Sequence, residues 1–309
     1  MDNILTADQF SPSDLTKLFG RADVMRRLSS EKQTRLELAT KHLDKQICSL
    51  FYEPSTRTRI SFETAALKLG MGVVSTENAS EFSSAVKGET IEDTIRVLNG
   101  YHFAAIIIRH PVTGEVARAA SVSKVPIINA GDGKGDHPSQ SLLDVYTIYS
   151  HFGRLDNLRV VMGGDLRNGR TVRSLSQMLS KYPKNHITFV SIPELQMGDD
   201  IKAMLTKSGT TFDETTATDT AFNNANVVYW TRLQKERLET SETSKLSSGG
   251  FTITTKLMSI LPKQAIIMHP LPRVDEIAAE VDSDPRAKYF EQAGNGLYIR
   301  MALLDQIVG

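Results

Sequence analysis

Residues 47–70 read ICSLFYEPSTRTRISFETAALKLG, a strand pattern that leads directly into a helix pattern. The run 47–52 is mostly apolar, Pro54 interrupts it, and apolar residues then recur at helical spacing until Gly70. A strand that passes straight into a helix is the repeating unit of α/β folds. This stretch therefore indicates the fold class that the rest of the chain has to match.

The remaining sequence repeats this alternation of strand and helix patterns. Short apolar runs rich in β-branched residues are separated by helical segments such as 170–181, in which the apolar residues share one face. Strands that are apolar throughout indicate parallel sheets covered by helices on both faces. We predict an α/β fold with strands at 47–52, 104–108, 125–129, 159–163, 187–192, 226–230 and 265–268.

The chain of 309 residues has room for two domains, and the pattern restarts near its middle. The segment 138–153, PSQSLLDVYTIYSHFG, opens with Pro138, closes with a glycine and precedes a new strand. We predict a helix that bridges two domains, each a parallel sheet flanked by helices. The predicted domains are 1–149 and 150–309, with a C-terminal helix near 294–309 that packs back on the first.

Composition argues against several classes of protein. The 36 basic and 36 acidic residues cancel, so no overall charge favours nucleic acid or an anionic membrane. The single cysteine, Cys48, excludes an internal disulfide framework and is expected in the core. MDNILTADQF lacks the features of a signal peptide, and no run reaches the ~18 apolar residues of a membrane span. We expect a cytoplasmic protein.

The hydroxyl and arginine cluster after the first strand predicts an anion site. Ser55 and Thr56 stand at the start of the predicted helix, whose free N–H groups and dipole favour anions. Thr58 adds a hydroxyl, and Arg57 adds a planar fork suited to phosphate. Arg59 lies on a different helix face and is expected to be structural. For this stretch alone, helix capping beside solvated arginines remains an alternative.

Other strand ends supply further polar groups, because ligands of such folds lie beyond the carboxyl ends of the strands. Arg109 follows one strand, and His137 and Gln140 follow the next. The histidine and the amide could both donate to a carbonyl or amide group, although an isolated HxxQ by itself favours a capping role. Neither HExxH nor a GxGxxG after the first strand occurs, so we predict no metal or dinucleotide cofactor.

The second half of the chain places arginines after its strands. Arg170 begins a helix after one strand, and TRLQKER brings Arg232 and Gln234 after another. Arginines so placed suit a substrate with carboxylates, although each alone could be a solvated or ion-paired side chain. We predict that the long polar segment 231–250 is a functional loop and that the Leu-Pro bond in HPLPR is cis.

Taken together, these motifs resemble the aspartate/ornithine carbamoyltransferase family. The resemblance runs through essentially the whole chain, and STRTR with HPxQ is its most specific part. TRLQKER with HPLPRVDEI resembles the members that act on aspartate. The matching segments are FYEPSTRTRISFETA, SSAVKGETIEDT, IIIRHP, NAGDGKGDHPSQSLLDVYTI, GDLRNGRTVRSL, YWTRLQKERL, HPLPRVDEI and AGNGLYIRMALL.

The resemblance implies a carbamoyl phosphate site in the first domain and an L-aspartate site in the second. Implied ligands of carbamoyl phosphate are Ser55, Thr56, Arg57, Thr58, Ser83, Lys87, Arg109, His137, Gln140, Pro270 and Leu271. Implied ligands of aspartate are Lys87, Arg170, Arg232, Gln234 and Leu271. The implied catalytic residues are Arg57, Thr58, Lys87, Arg109 and His137, while Glu53, Glu236 and Arg237 are implied supporting groups.

The implied reaction transfers the carbamoyl group to the α-amine of L-aspartate, an early step of pyrimidine biosynthesis, without cofactor or metal. The resemblance also implies a homotrimer, in which Ser83 and Lys87 reach into a neighbouring subunit's site. A regulatory chain or a dihydroorotase partner stays open.

The nearest alternative is an ornithine carbamoyltransferase. Such enzymes carry a cysteine in an HCLP motif, whereas residues 269–272 here read HPLP and the second half is rich in arginine. A catalytically silent scaffold of the same family is a second alternative, disfavoured because Arg57, Lys87 and His137 are all present. A nucleic-acid binder is disfavoured by the neutral net charge.

Overall fold

The computed structural model describes residues 3–82, 84–232 and 251–309. The chain forms two compact units, one made of residues 1–146 and 294–309 and the other of residues 147–293. None of the helices in these described ranges combines the length and the hydropathy that crossing a bilayer requires.

The first unit is built on a four-stranded parallel sheet. Its strands are β1 (Gln46–Phe51), β2 (Gly72–Thr76), β3 (Ala105–His110) and β4 (Ile127–Asp132), in the order β2-β1-β3-β4. Strand β1 is central and nearly fully buried because apolar residues face the helices on both sides. Cys48 is 5% exposed, as the sequence predicts.

Helices surround this sheet and connect its strands. They are α1 (Pro12–Leu28), α2 (Lys32–Leu38), α3 (Thr56–Lys68), α4 (Ala79–Phe82), α5 (Ile91–Leu98) and α6 (Glu115–Val122), with 3-10 turns at Ala7–Gln9, Ser84–Lys87 and Asn99–Tyr101. Helix α3 ends before Gly70, which has a φ of +83°. Many helices end at a glycine in this left-handed conformation. The predicted strand and helix of the opening stretch are thus confirmed.

The predicted bridging helix is also confirmed. Helix α7 (Pro138–Phe152) begins at the proline and stops before Gly153, which has a φ of +69°. The chain passes from the first unit to the second within this helix, at Tyr146 and Thr147.

The second unit carries a five-stranded parallel sheet. Its strands are β5 (Arg159–Gly163), β6 (His186–Val190), β7 (Thr211–Thr215), β8 (Val227–Trp230) and β9 (Ile266–Met268), in the order β7-β6-β5-β8-β9. Its remaining elements are α8 (Arg170–Leu179), α9 (Asp199–Ser208), α10 (Thr218–Phe222), α11 (Thr255–Ile260) and 3-10 turns at Pro193–Leu195 and Ala279–Ser283. Helix α12 (Tyr289–Val308) returns the chain to the first unit at Gly294.

Strands β2 and β7 are missing from the sequence prediction. Both are edge strands, and most of their residues are exposed or half-buried. GVVST has only two adjacent large apolar residues, and TFDET has only one, Phe212. The seven other strands have longer or more continuous apolar runs, so the apolar pattern predicts them and not these two.

Candidate active site

The polar residues predicted for the first site lie at one edge of the first sheet. Helix α3 starts directly after β1, Arg109 lies at the end of β3, and the loop after β4 leads to His137. Because the strand order runs β2-β1-β3-β4, the chain changes its winding direction between β1 and β3. Parallel sheets bind ligands at such a reversal, beyond the carboxyl ends of the strands.

The start of α3 presents unused hydrogen-bonding groups. Ser55 is the N-cap residue, but its side chain makes no capping hydrogen bond. Arg57 is exposed, and no ion pair involves it within the described part of the chain. Partial loss of water around its guanidinium lowers the pKa of Arg57. Free N–H groups, hydroxyls and an arginine without a carboxylate partner together suit a dianion.

Arg59 differs from Arg57 in its contacts. Its two terminal nitrogens lie 3.4 Å from Glu63 Oε1 and 2.8 Å from Glu77 Oε2. Glu63 also accepts a hydrogen bond from Ser49 on β1, at 3.1 Å. The guanidinium therefore ties α3 to its surroundings, as the structural role predicted from its helix face requires.

Arg109 is held in place by an ion pair and a hydrogen bond. It is 9% exposed, its Nη2 lies 2.9 Å from Glu53 Oε2, and its Nη1 donates to the carbonyl of Ala130 at 3.2 Å. Gly131, with a φ of +130°, makes this position possible, because a Cβ there would lie 2.7 Å from Nη1. Glu53 thus supports a predicted site residue directly.

Thr58 and His137 meet in the same region. The Thr58 hydroxyl lies 3.4 Å from His137 Nε2, and both side chains are buried. His137 precedes α7, and its backbone N–H donates to the Asp136 carboxylate at 2.7 Å. One turn into α7, the Gln140 amide nitrogen donates to Asp144 Oδ1 at 2.9 Å. The structure therefore brings Thr58 and His137 together.

The arginines of the second unit lie at neighbouring strand ends. Arg170 is the first residue of α8, after β5, and Arg232 follows β8, which pairs with β5. The loop after β5 approaches β8 closely, since a Cβ on Gly164 would lie 2.2 Å from the carbonyl oxygen of Thr231. Leu271 follows β9, the next strand in the sheet. This order again reverses between β5 and β8, where a ligand is expected.

The turn after β9 is built around a buried histidine. Leu271 has a φ of +49°, and the predicted cis bond to Pro272 is present. His269 Nδ1 accepts a hydrogen bond from the Leu271 N–H at 2.8 Å, and its Nε2 lies 2.8 Å from Glu276 Oε1. Burial raises the pKa of Glu276, but hydrogen bonds from His269 and the backbone outweigh it and lower the pKa overall.

Not every predicted site residue is among the described residues. Ser83, Gln234, Glu236 and Arg237 lie outside the described residues, as does most of the predicted loop 231–250. Lys87 is described, and it is exposed at the end of the 3-10 turn Ser84–Lys87. Sequence reasoning missed the buried partners Asp144, His269 and Glu276. Only the four-residue spacing of Gln140 and Asp144 on one helix face offered a signal.

The chain was compared with protein families and with solved structures. Residues 2–150 match the aspartate/ornithine carbamoyltransferase carbamoyl-P binding domain, and residues 156–307 match the Asp/Orn binding domain of the same family. The chain belongs to the aspartate/ornithine carbamoyltransferase family.

Individual carbamoyltransferases support this assignment. The chloroplastic aspartate carbamoyltransferase of Oryza sativa is 48% identical, over 100% of this chain and 85% of the relative. The catalytic subunit of M. jannaschii aspartate transcarbamoylase is 40% identical with a TM-score of 0.91, over 100% of this chain and 98% of that one. A Trypanosoma cruzi aspartate transcarbamoylase in complex with carbamoyl aspartate and phosphate is 38% identical with a TM-score of 0.86, over 98% and 94% of the chains.

Proposed function

We propose that the protein transfers the carbamoyl group from carbamoyl phosphate to the α-amine of L-aspartate, giving N-carbamoyl-L-aspartate and phosphate. The names of its relatives support aspartate as the acceptor over ornithine. The observation that carries the proposal is Arg57, which stands without an ion-pair partner among the described residues at the start of α3. A phosphate group would supply the missing negative charge.

On the carbamoyl phosphate side, each residue has a proposed task. Ser55, Thr56 and the free N–H groups of α3 bind the phosphate, and Arg57 offsets the charge that builds up as it leaves. Thr58, Arg109 and His137 donate to the carbamoyl oxygen, which gains negative charge when the amine attacks the carbon. Each fixed donor of this kind is worth ~3 to 4 kcal/mol in the transition state.

On the amino-acid side, Arg170 and Arg232 bind the two carboxylates of aspartate, with Gln234 beside them. Their positions after the paired strands β5 and β8 support this proposal. Pro270 and Leu271, held by the His269 turn, contribute backbone groups. The α-amine attacks in its deprotonated form, and the departing phosphate accepts its proton, so no side chain has to act as the base.

The proposal extends to the assembly and the place of action. A homotrimer in which Ser83 and Lys87 complete a neighbouring site is supported by the family resemblance and by the exposure of Lys87. We further propose a role in pyrimidine biosynthesis in the cytoplasm, although the plant relative is named chloroplastic. Native mass measurement of the purified complex tests the trimer and any regulatory or dihydroorotase partner, and cell fractionation tests the location.

A direct assay tests the reaction. The protein should form N-carbamoyl-L-aspartate from carbamoyl phosphate and L-aspartate, and Arg57→Ala should lower kcat/KM by about 10³-fold. Arg59→Ala is the matched control, because it removes an arginine that is already ion-paired two residues away. It should reduce stability and retain most activity. Carbamoylation of ornithine in place of aspartate would contradict the proposal.

A further inference from the structure

A buried polar network lies behind Gln140 in the first unit. Gln140 is half-buried, and its amide nitrogen donates to Oδ1 of Asp144, which is fully buried one turn further along α7. Arg300 on α12 is 3% exposed and donates from Nη2 to the hydroxyl of Ser139 at 3.2 Å. Its guanidinium carbon lies 5.0 Å from the centre of the Phe62 ring.

The charges in this network depend on each other. Burial lowers the pKa of Arg300 to about 10, and the nearby negative charge of Asp144 opposes that fall. Arg300 therefore remains a cation near neutral pH and compensates the buried Asp144 carboxylate. Two buried charges are tolerated together, whereas either one alone would be costly.

The hydrogen bond to Asp144 determines which way Gln140 points. A carboxylate has no hydrogen to donate, so only the NH2 end of the Gln140 amide can face it. The carbonyl oxygen Oε1 is then the end that remains for a ligand. A glutamine without such a neighbour could present either end.

We propose that Asp144 and Arg300 are positioning residues, which orient Gln140 so that it accepts a hydrogen bond from the substrate and thereby selects acyl phosphates that carry an N–H group. This inference rests on the proposed function and on the role as a ligand of carbamoyl phosphate that the family resemblance implies for Gln140. Carbamoyl phosphate carries an NH2 group on its acyl carbon, whereas acetyl phosphate carries a methyl group of similar size on that carbon. A methyl group would leave the Gln140 oxygen without a partner, and sites with such an unmet group discriminate strongly.

The test compares carbamoyl phosphate with acetyl phosphate, each measured for affinity by calorimetry and for inhibition or turnover with L-aspartate. The wild-type protein should prefer carbamoyl phosphate by at least about 10²-fold. Asp144→Asn keeps the size of the side chain but adds an NH2 group, which lets Gln140 reverse. This variant should lower the preference by about tenfold or more and leave the affinity for inorganic phosphate unchanged.

Two further variants separate orientation from stability. Asp144→Glu keeps an acceptor and should retain the preference. Asp305→Asn is the matched control, because Asp305 is a buried carboxylate of the same unit whose contacts, to Arg21, Lys41 and His42, include no proposed site residue. It should cost stability and leave the preference unchanged.

If Asp144→Asn does not fold, Arg300→Met takes its place. Without the cation, buried Asp144 takes up a proton, can donate to Gln140 and should lower the preference in the same way. An unchanged preference in a folded Asp144→Asn or Arg300→Met variant would overturn the inference. So would a wild-type protein that binds both acyl phosphates equally, whatever the variants do. Failure of the proposed function would instead appear as selective binding without carbamoyl aspartate formation.

Discussion

At the scale of single residues, contacts distinguish side chains that the sequence presents as equals. Arg57 and Arg59 stand two positions apart, yet Arg59 has two carboxylates and Arg57 has no ion pair in the described part of the chain. Helix geometry alone predicted this difference, because residues two apart face different directions. The pairing of Arg300 with the Gln140 region could not be predicted, since 160 residues of chain separate them and only folding brings them together.

A substitution at Gly131 tests whether the close approach of its backbone to Arg109 matters for activity. Gly131→Ala should displace the guanidinium, because the new Cβ would lie 2.7 Å from Nη1. Gly114→Ala is the matched control, since Gly114 also has a positive φ, +95°, but has nothing within 4 Å. Both changes should cost about 1 to 2 kcal/mol of unfolding free energy from backbone strain.

Kinetics separate the two glycine variants. Only Gly131→Ala should lower kcat/KM for carbamoyl phosphate, by about 10²-fold, because only there does a proposed donor move. Steady-state assays and urea unfolding give the two quantities. Equal loss of activity in both variants would mean that strain, and not the contact with Arg109, is responsible.

Cys48 should be inert in the folded protein. Burial in β1 raises the pKa of its thiol to about 11, so the reactive thiolate is scarce and shielded at pH 8. A chromogenic thiol reagent should label no cysteine in the native protein and one per chain in denaturant. Rapid labelling without denaturant would contradict the burial of this strand.

At the scale of elements, apolar runs predicted seven strands and the bridging helix, but they did not predict β2 and β7. The residues of these two edge strands are exposed or half-buried, which permits polar residues and removes the apolar signal, whereas the edge strands β4 and β9 are buried and were predicted. Helix α12 combines a buried apolar face with polar contacts that an apolar pattern does not reveal. Its Asp305 lies 2.5 Å from Lys41 Nζ and 2.8 Å from His42 Nε2.

The contacts of Asp305 make the stability of α12 sensitive to acid. Burial raises the pKa of Asp305, but hydrogen bonds from Lys41 and His42 outweigh it, so the folded pKa lies below the ordinary value of 3.8. A lowered carboxyl pKa stabilises the fold above the unfolded pKa, and this contribution disappears as the pH falls through the folded pKa. The unfolding free energy should therefore decrease below about pH 5.

Asp305→Asn isolates that contribution. The variant should lose roughly 3 kcal/mol at neutral pH, because Arg21, Lys41 and His42 lose the buried carboxylate that they contact. Its unfolding free energy should then fall less steeply than that of the wild type between pH 5 and pH 2, as measured by urea titrations across that range. Parallel pH profiles would show that other carboxylates account for the acid sensitivity.

At the scale of the whole molecule, both sheets place their polar residues at the edge where the strand order reverses. This placement was predictable, because it follows from parallel topology and from the residues after each strand. The sequence could not reveal the assembly by the same reasoning, since a shared site depends on residues such as Lys87 that face outward from the chain. The proposed trimer therefore needs its own test.

Complementation between inactive chains provides this test. Lys87→Ala and His137→Ala chains should each be nearly inactive alone, because each lacks one proposed catalytic group. Mixed under conditions that exchange subunits, they should regain activity corresponding to about a quarter of the wild-type sites, since some neighbouring pairs then supply both groups. No recovery, with exchange verified by mass, would indicate that each chain completes its own site.

The turn around His269 also has a consequence for hydrogen exchange. The Leu271 N–H lies in a half-buried turn, where amide protons usually exchange with solvent rapidly, yet it donates to an imidazole that is itself buried against Glu276. Its proton can leave only when the hydrogen bond to His269 breaks and water reaches the amide. The exchange rate at this single amide would therefore report how often the turn opens beside the histidine, independently of any substrate.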